Sequence, residues 1–180
     1  MSAASPLLRI EEAEQIMQDQ RRQHFEELLQ SHQGIVFKVA NTYCWQVDDR
    51  ADLVQEIVVQ LWRAWPRYDS ARPFSTWMYR IALNVAISFV RQEVRRRQVS
   101  VPLDETHYDT VHAPAIDPVS SDQLQRLQGF IDRQPPLDRA LLLLYLEDRS
   151  QKEISEILGI TPSNISTKIN RLKQRMRAEI

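Results

Sequence analysis

The chain holds one cysteine, Cys44, and three glycines in 180 residues. A lone cysteine forms no internal disulfide, which fits a reducing compartment. With so little glycine and few β-branched runs, sheet and hairpin architectures are poorly served and an all-α fold is expected. No apolar run approaches the ~20 residues that span a bilayer, so no membrane insertion is expected. The start, MSAASPLLRIEEAEQIM, lacks a basic segment followed by an apolar one, so no secretory signal is read and a cytoplasmic location is expected. The four histidines, His24, His32, His107 and His112, are scattered, without metal-ligand spacing. No glycine-rich phosphate loop, nucleophile elbow or close carboxylate pair stands out, so neither catalytic residues nor a cofactor is assigned.

Apolar residues make up 43% of the chain, enough for a folded core. The net charge of −1 conceals alternating blocks: −4 over residues 1–69, +5 over 70–98, −5 over 99–125 and +3 over 126–180. Local charge governs attraction to phosphate, so two basic blocks flanking an acidic one point to a polyanionic partner.

Residues 8–32 read as a helix, Gly34 as a break, and Ile35, Val36, Val39, Ala40 and Tyr43 as a second helix. In DRADLVQEIVVQLWRAWPRYD, Leu53, Val54, Ile57, Val58, Leu61, Trp62 and Trp65 recur at helical spacing, and Pro66 closes the helix. The opposite side carries Asp52, Gln55, Glu56, Val59, Gln60 and Arg63. A further helix is read over 75–97, capped by Ser75 or Thr76. Stepping 100° per residue places Trp77, Asn84, Ser88, Arg91 and Arg95 on one line with Arg80 at its edge, and Ala82, Val85, Ala86, Phe89 and Val90 on the far side. A projecting aromatic beside an amide and arginines suits unpaired bases: the ring stacks, the amide pairs and the cations hold the backbone. The plainer alternative is a tryptophan packed back onto a loop, with the arginines as a solvated helix end.

Residues 99–121 have no helical period, three prolines and no basic residue, and read as a flexible acidic linker. Short helices follow near 121–133 and 136–147, the second opened by Pro136. Ser150 and Glu153 match a capping box; Ile154, Ile157 and Leu158 form a buried side, and Gly159 supplies a sharp turn. Thr161 caps a last helix with Ile165, Ile169, Leu172 and Met176 on one face. Ser163, Asn164, Ser166, Thr167, Lys168, Asn170 and Arg171 face elsewhere, with Lys173, Arg175 and Arg177 available for phosphates. This is a helix-turn-helix pattern; its polar face suits a DNA groove, and an ordinary helical hairpin is the alternative.

These motifs, in this order, resemble the extracytoplasmic-function (group IV) sigma factors, two-domain subunits of bacterial RNA polymerase. The D-x-x-D-L-V-Q-E string at 49–56 resembles their region 2.2, T-W-x-Y-R-I-A-x-N at 76–84 their regions 2.3 and 2.4, and residues 137–177 their region 4. The resemblance implies an N-terminal extension over 1–22, a region 2 domain over 23–98, the linker over 99–121 and a region 4 domain over 122–180. It implies that Asp52, Gln55, Glu56, Val59, Gln60 and Arg63 dock on core RNA polymerase, on the β′ clamp helices. It implies that Thr76, Trp77, Arg80, Asn84, Ser88, Arg91 and Arg95 bind and open the minus-ten element of promoter DNA, with Asn84 capturing a flipped base under the loop from Ser70 to Thr76. Ser163, Asn164, Ser166, Thr167, Lys168, Asn170, Arg171 and Lys173 would read the minus-thirty-five element. Family members commonly carry Arg where this chain has Ser166 and Lys168, which implies either an altered preference there or a greater dependence on spacing and DNA shape. The partners implied are core RNA polymerase (β and β′ subunits), promoter DNA and an anti-sigma factor covering the region 2.2 face or wedged between the domains. The acidic residues Asp104, Glu105, Asp109 and Asp117 of the linker, with Asp122 just past its end, serve either as a nucleic-acid mimic in the polymerase channels or as a soluble tether. A free-standing helix-turn-helix regulator is the alternative function; it accounts for residues 150–177 but not for the stripe from Trp77 to Arg91.

Overall fold

A computed structural model describes the backbone of residues 6–100 and 122–179, and the side chains of 15–96 and 125–179. Among these residues there are seven α-helices, one short 3-10 turn and no strand, so the chain is all-α. The linker expected from residue 99 therefore lies outside the described residues from 101 onward, and with it Asp104, Glu105, Asp109 and Asp117.

Helices α1 (Pro6–Tyr43), α2 (Val47–Ala64) and α3 (Phe74–Ser100) pack pairwise into an N-terminal bundle. The break expected at Gly34 does not occur; α1 runs through it for 38 residues. Glycine costs roughly 1 kcal/mol against alanine inside a helix. The burial of Phe25, Ile35, Val36, Val39, Ala40 and Tyr43 on either side of it outweighs that cost. Upstream of Phe25 the packing fades: residues 15–24 are all exposed.

In α2 the fully buried residues are Leu53, Ile57 and Leu61, one helical row. Pro66 forces the switch from α2 to a 3-10 turn, η1 (Trp65–Arg67). Trp62, expected on the buried side, stands 45% exposed, because the core-facing row ends at Leu61. Helix α3 starts one residue earlier than expected, at Phe74, and the Trp77 N–H donates to the Pro73 carbonyl. Neither Ser75 nor Thr76 is its cap. Its buried row is Met78, Tyr79, Ala82, Leu83, Ala86 and Ile87, rotated from the expected side, while Val85, Phe89 and Val90 are only half-buried.

Helices α4 (Asp122–Asp132), α5 (Pro136–Leu146), α6 (Gln151–Leu158) and α7 (Pro162–Glu179) form the C-terminal bundle around Phe130, Leu141, Leu144, Ile154, Ile157 and Ile165. Its turns follow local chemistry. The Ser150 hydroxyl accepts from the Glu153 N–H at 3.2 Å, and the Glu153 carboxylate accepts from the Ser150 N–H at 2.9 Å, a reciprocal capping box. Gly159 ends α6 at φ +68°, a left-handed conformation that L side chains resist. Thr161 Oγ1 then accepts from the Asn164 N–H at 3.4 Å as α7 begins.

The two bundles touch. Helix α3 packs on α6 and α5, and α1 on α5. At this seam Lys38 Nζ donates to both Glu147 carboxylate oxygens at 2.7 and 2.8 Å, and the Tyr43 hydroxyl donates to the Pro136 carbonyl at 2.6 Å. The Arg149 guanidinium lies 5.2 Å from the Tyr79 ring centroid. Burial and the neighbouring Glu147 carboxylate push the Tyr79 hydroxyl up to about 12, so it stays a neutral donor to Glu147 at 3.4 Å.

Candidate nucleic-acid interface

On α2, Asp52, Gln55, Glu56, Val59 and Arg63 are exposed and Gln60 is half-buried, its amide donating to Glu56 at 2.7 Å. Val59 is a 40% exposed aliphatic side chain between carboxylates and amides. An apolar centre in a polar rim is the composition of a docking patch.

On α3, Arg80, Asn84, Ser88, Arg91 and Arg95 are all exposed. The α2 and α3 sets meet. Asp52, Glu56 and Gln60 form one wall of an open groove of about 520 Å³, and Asn84, Ser88, Gln92 and Arg96 line the other, with Val85 and Phe89 at its floor. Gln92 and Arg96 were not picked out from sequence. Both continue the four-residue row from Asn84 through Ser88, which is the signal that could have found them.

The structure moves Trp77 off the exposed stripe. Its ring packs 5.0 Å from Tyr68, 5.3 Å from Phe74 and 6.2 Å from Trp65, and it is only partly accessible. Trp65 is the hub: it stacks on Tyr68 at 5.2 Å, meets Phe25 at 5.4 Å, and its indole N–H donates to the Arg21 carbonyl. Trp77 thus takes the plainer course, a helix-start tryptophan folded back onto the loop. Thr76 is likewise buried, at 7% exposure, with its hydroxyl unpaired among the described residues. The loop above is held in shape by the Tyr68 hydroxyl donating to the Arg72 carbonyl and by the Ala71 N–H donating to Asp69.

On α7, Ile165, Ile169 and Leu172 are buried and Ser163, Asn164, Thr167, Asn170 and Arg171 are exposed. Three residues expected on the reading face are engaged within their own bundle. Ser166 donates to Gln151 at 3.2 Å, Lys168 pairs with Asp138 at 3.0 Å, and the Lys173 ammonium sits 4.4 Å over the Tyr145 ring. Among the described residues no group of three or more His, Cys, Asp or Glu side chains is placed to hold a metal. No described helix is long and apolar enough to cross a membrane.

Two family models match the chain: Sigma-70 region 2 over residues 28–96, and Sigma-70 region 4 over residues 124–176. The exposed α2 and α3 rows fall in the first and the α6–α7 pair in the second. Among curated proteins, the chain is 30% identical over 161 residues to the ECF RNA polymerase sigma factor SigE of Mycolicibacterium smegmatis, covering 85% of this chain and 60% of that protein. It is 25% identical over 165 residues to the ECF RNA polymerase sigma factor SigW of Bacillus subtilis, covering 87% and 88%. Among solved structures it resembles the sigma factor RpoE of Bartonella quintana, determined with the anti-sigma factor NepR, at 18% identity and a TM-score of 0.67 over 86% of this chain and 95% of that one. At that identity the likeness is one of fold.

Proposed function

Given that the chain belongs to the Sigma-70 family and is an ECF-type sigma factor, we propose that it binds core RNA polymerase through α2, opens the minus-ten element along α3 and reads the minus-thirty-five element with α7. The observation that carries this reading is the shared groove. Asn84 and Ser88 face Asp52, Glu56 and Gln60 across it, so a protein seated on α2 becomes the second wall of the compartment beside Asn84. Holding a base out of the duplex costs a few kcal/mol of unstacking. An amide that pairs with the extruded base, arginines on the backbone and a polymerase wall excluding water together offset that cost. Arg80, Asn84, Ser88, Arg91 and Arg95 are the minus-ten residues of this reading. Thr76 and Trp77 support the loop from Ser70 that covers the base, rather than stacking on it. Partners are core polymerase (β and β′), promoter DNA and an anti-sigma factor that covers the α2 face or wedges between the bundles. The domain limits proposed are 23–98 and 122–180.

The test is reconstitution with core polymerase and sequencing of transcript starts on genomic DNA. Wild-type chain is expected to give discrete starts with two shared upstream elements. Glu56→Arg is expected to lose polymerase binding. Asn84→Ala is expected to keep polymerase and lose permanganate reactivity at minus ten. Tight, sequence-specific duplex binding by the chain alone, with no affinity for polymerase, would favour a free-standing regulator instead.

A further inference from the structure

The cations of α7 are not equivalent. Arg171 is exposed on the same row as Asn164, Thr167 and Asn170. Lys168, one turn before it, is turned to α5, its Nζ 3.0 Å from Asp138 Oδ1, with the two side chains 32% and 17% exposed. Asp138 stands in the first turn of α5, where the helix dipole favours a carboxylate. Taking Lys168 away would leave a mostly buried carboxylate without its counter-charge, which is costly in a low-dielectric site. A phosphate or base edge must therefore compete with a pair that already exists. The other α7 lysine, Lys173, is spent on the Tyr145 ring, and the Arg175 guanidinium lies 6.0 Å from the Phe130 centroid.

We propose that Asp138 is a positioning residue that withholds Lys168 from the DNA. The recognition helix then reads its element through hydroxyl and carboxamide groups, with Arg171 as the base-reading cation of its exposed row. Amides pair with adenine and arginine with guanine, so the element favoured is adenine-rich with a single guanine contact. This inference rests on α7 being the minus-thirty-five reader and adds which of its residues read.

The experiment uses polymerase reconstituted with the full chain, and promoter DNA in which the minus-thirty-five positions are varied one at a time, over 50–200 mM salt. Asp138→Asn preserves shape and removes the charge. It is expected to steepen the slope of log affinity against log salt by about 1, since one more phosphate-competent cation is released. Where the freed ammonium reaches a base edge instead of a phosphate, it should add a guanine preference of about tenfold at that position in place of the steeper slope. The double variant Asp138→Asn/Lys168→Met is expected to return slope and preference to those of wild type. A structural role for Asp138 alone would weaken binding without a new preference. The proposal is overturned if Asp138→Asn leaves slope and preference unchanged or only weakens binding, or if the gain survives in the double variant. Arg171→Ala separates the levels. If it abolishes the wild-type guanine contact while Asp138→Asn is silent, only this inference fails. If it leaves the guanine preference intact, Arg171 is not the reading cation and this inference fails; if alanine at Asn164, Thr167, Asn170 and Arg171 together leaves promoter preference intact, α7 is not the reader and the functional reading of that helix fails with it.

Discussion

Replacing Trp77 by alanine tests whether its ring is a structural member or a free stacking surface. The indole contacts three aromatic rings, Tyr68, Phe74 and Trp65, at centroid distances of 5.0, 5.3 and 6.2 Å. Truncating a buried tryptophan costs about 3–5 kcal/mol, and aromatic pairs contribute about 0.5–1.5 kcal/mol each beyond area. Because the ring keeps some exposure, the lower end applies, about 3 kcal/mol. At roughly 2–4 °C per kcal/mol for a chain of this length, the midpoint of melting should fall by about 6–12 °C. Urea unfolding followed by circular dichroism at 222 nm reads the free-energy loss, and Trp77→Phe should recover most of it. A surface ring would cost within about 0.5 kcal/mol. A loss under about 1 kcal/mol for Trp77→Ala refutes the packing argument. The point matters for function, because failure to open DNA after this substitution would report a collapsed loop before it reported lost base stacking.

Two further outcomes are expected. Burial pushes the Asp132 carboxyl up to about 6, against the Gln128 hydrogen bond and the Arg139 and Arg133 charges. The folded state therefore binds this proton more tightly than the unfolded one, and the group's contribution to stability falls as pH rises from about 4 through 6. Asp132→Asn should gain about 1 kcal/mol at pH 7, allowing for solvent screening, and nothing at pH 4; an equal gain at both, measured by urea titration, would contradict the assignment. At the seam, Glu147→Lys sets two cations opposite each other and removes the Tyr79 hydrogen bond. It should raise the radius of gyration of the free chain by several Å in small-angle scattering, from a compact value of roughly 16 Å or somewhat more; an unchanged scattering curve would mean the seam is not held there.

The C-terminal bundle was the most legible part of the sequence because its signals are local. Ser150 with Glu153, and Gly159 at positive φ, fix α6 within a dozen residues, and Ile165, Ile169 and Leu172 repeat cleanly. The N-terminal bundle was read less well where tertiary packing overrides local preference. Gly34 is a weak helix residue carried by its buried neighbours. Trp62 and Trp77 have side chains large enough to be placed by a partner ring rather than by helical phase, so a wheel put one too deep and the other too far out. The exposed rows of α2 and α3 followed from periodicity, but their meeting in one groove depends on how the helices cross. The Lys168–Asp138 pair joins residues 30 apart, and no local pattern announces it.

The stacking order of three helices sets a length problem. Helix α3 packs on α6 and α6 on α7, so with axes about 8–10 Å apart at each contact, α7 lies within roughly 20 Å of α3. Two promoter elements 25 base pairs apart, as minus ten and minus thirty-five imply, are separated by about 85 Å of duplex at 3.4 Å per step. If α3 and α7 are the two readers, as proposed, both reach DNA together only once the seam at Lys38 and Glu147 has parted. The 22 peptide steps from Ser100 to Asp122 extend to about 75 Å at most. On that reading the chain would work as a folding rule with a fixed maximum opening: the tether alone falls about 10 Å short of the span, the bundles must supply the remainder, and a promoter stretched further would outrun its reach.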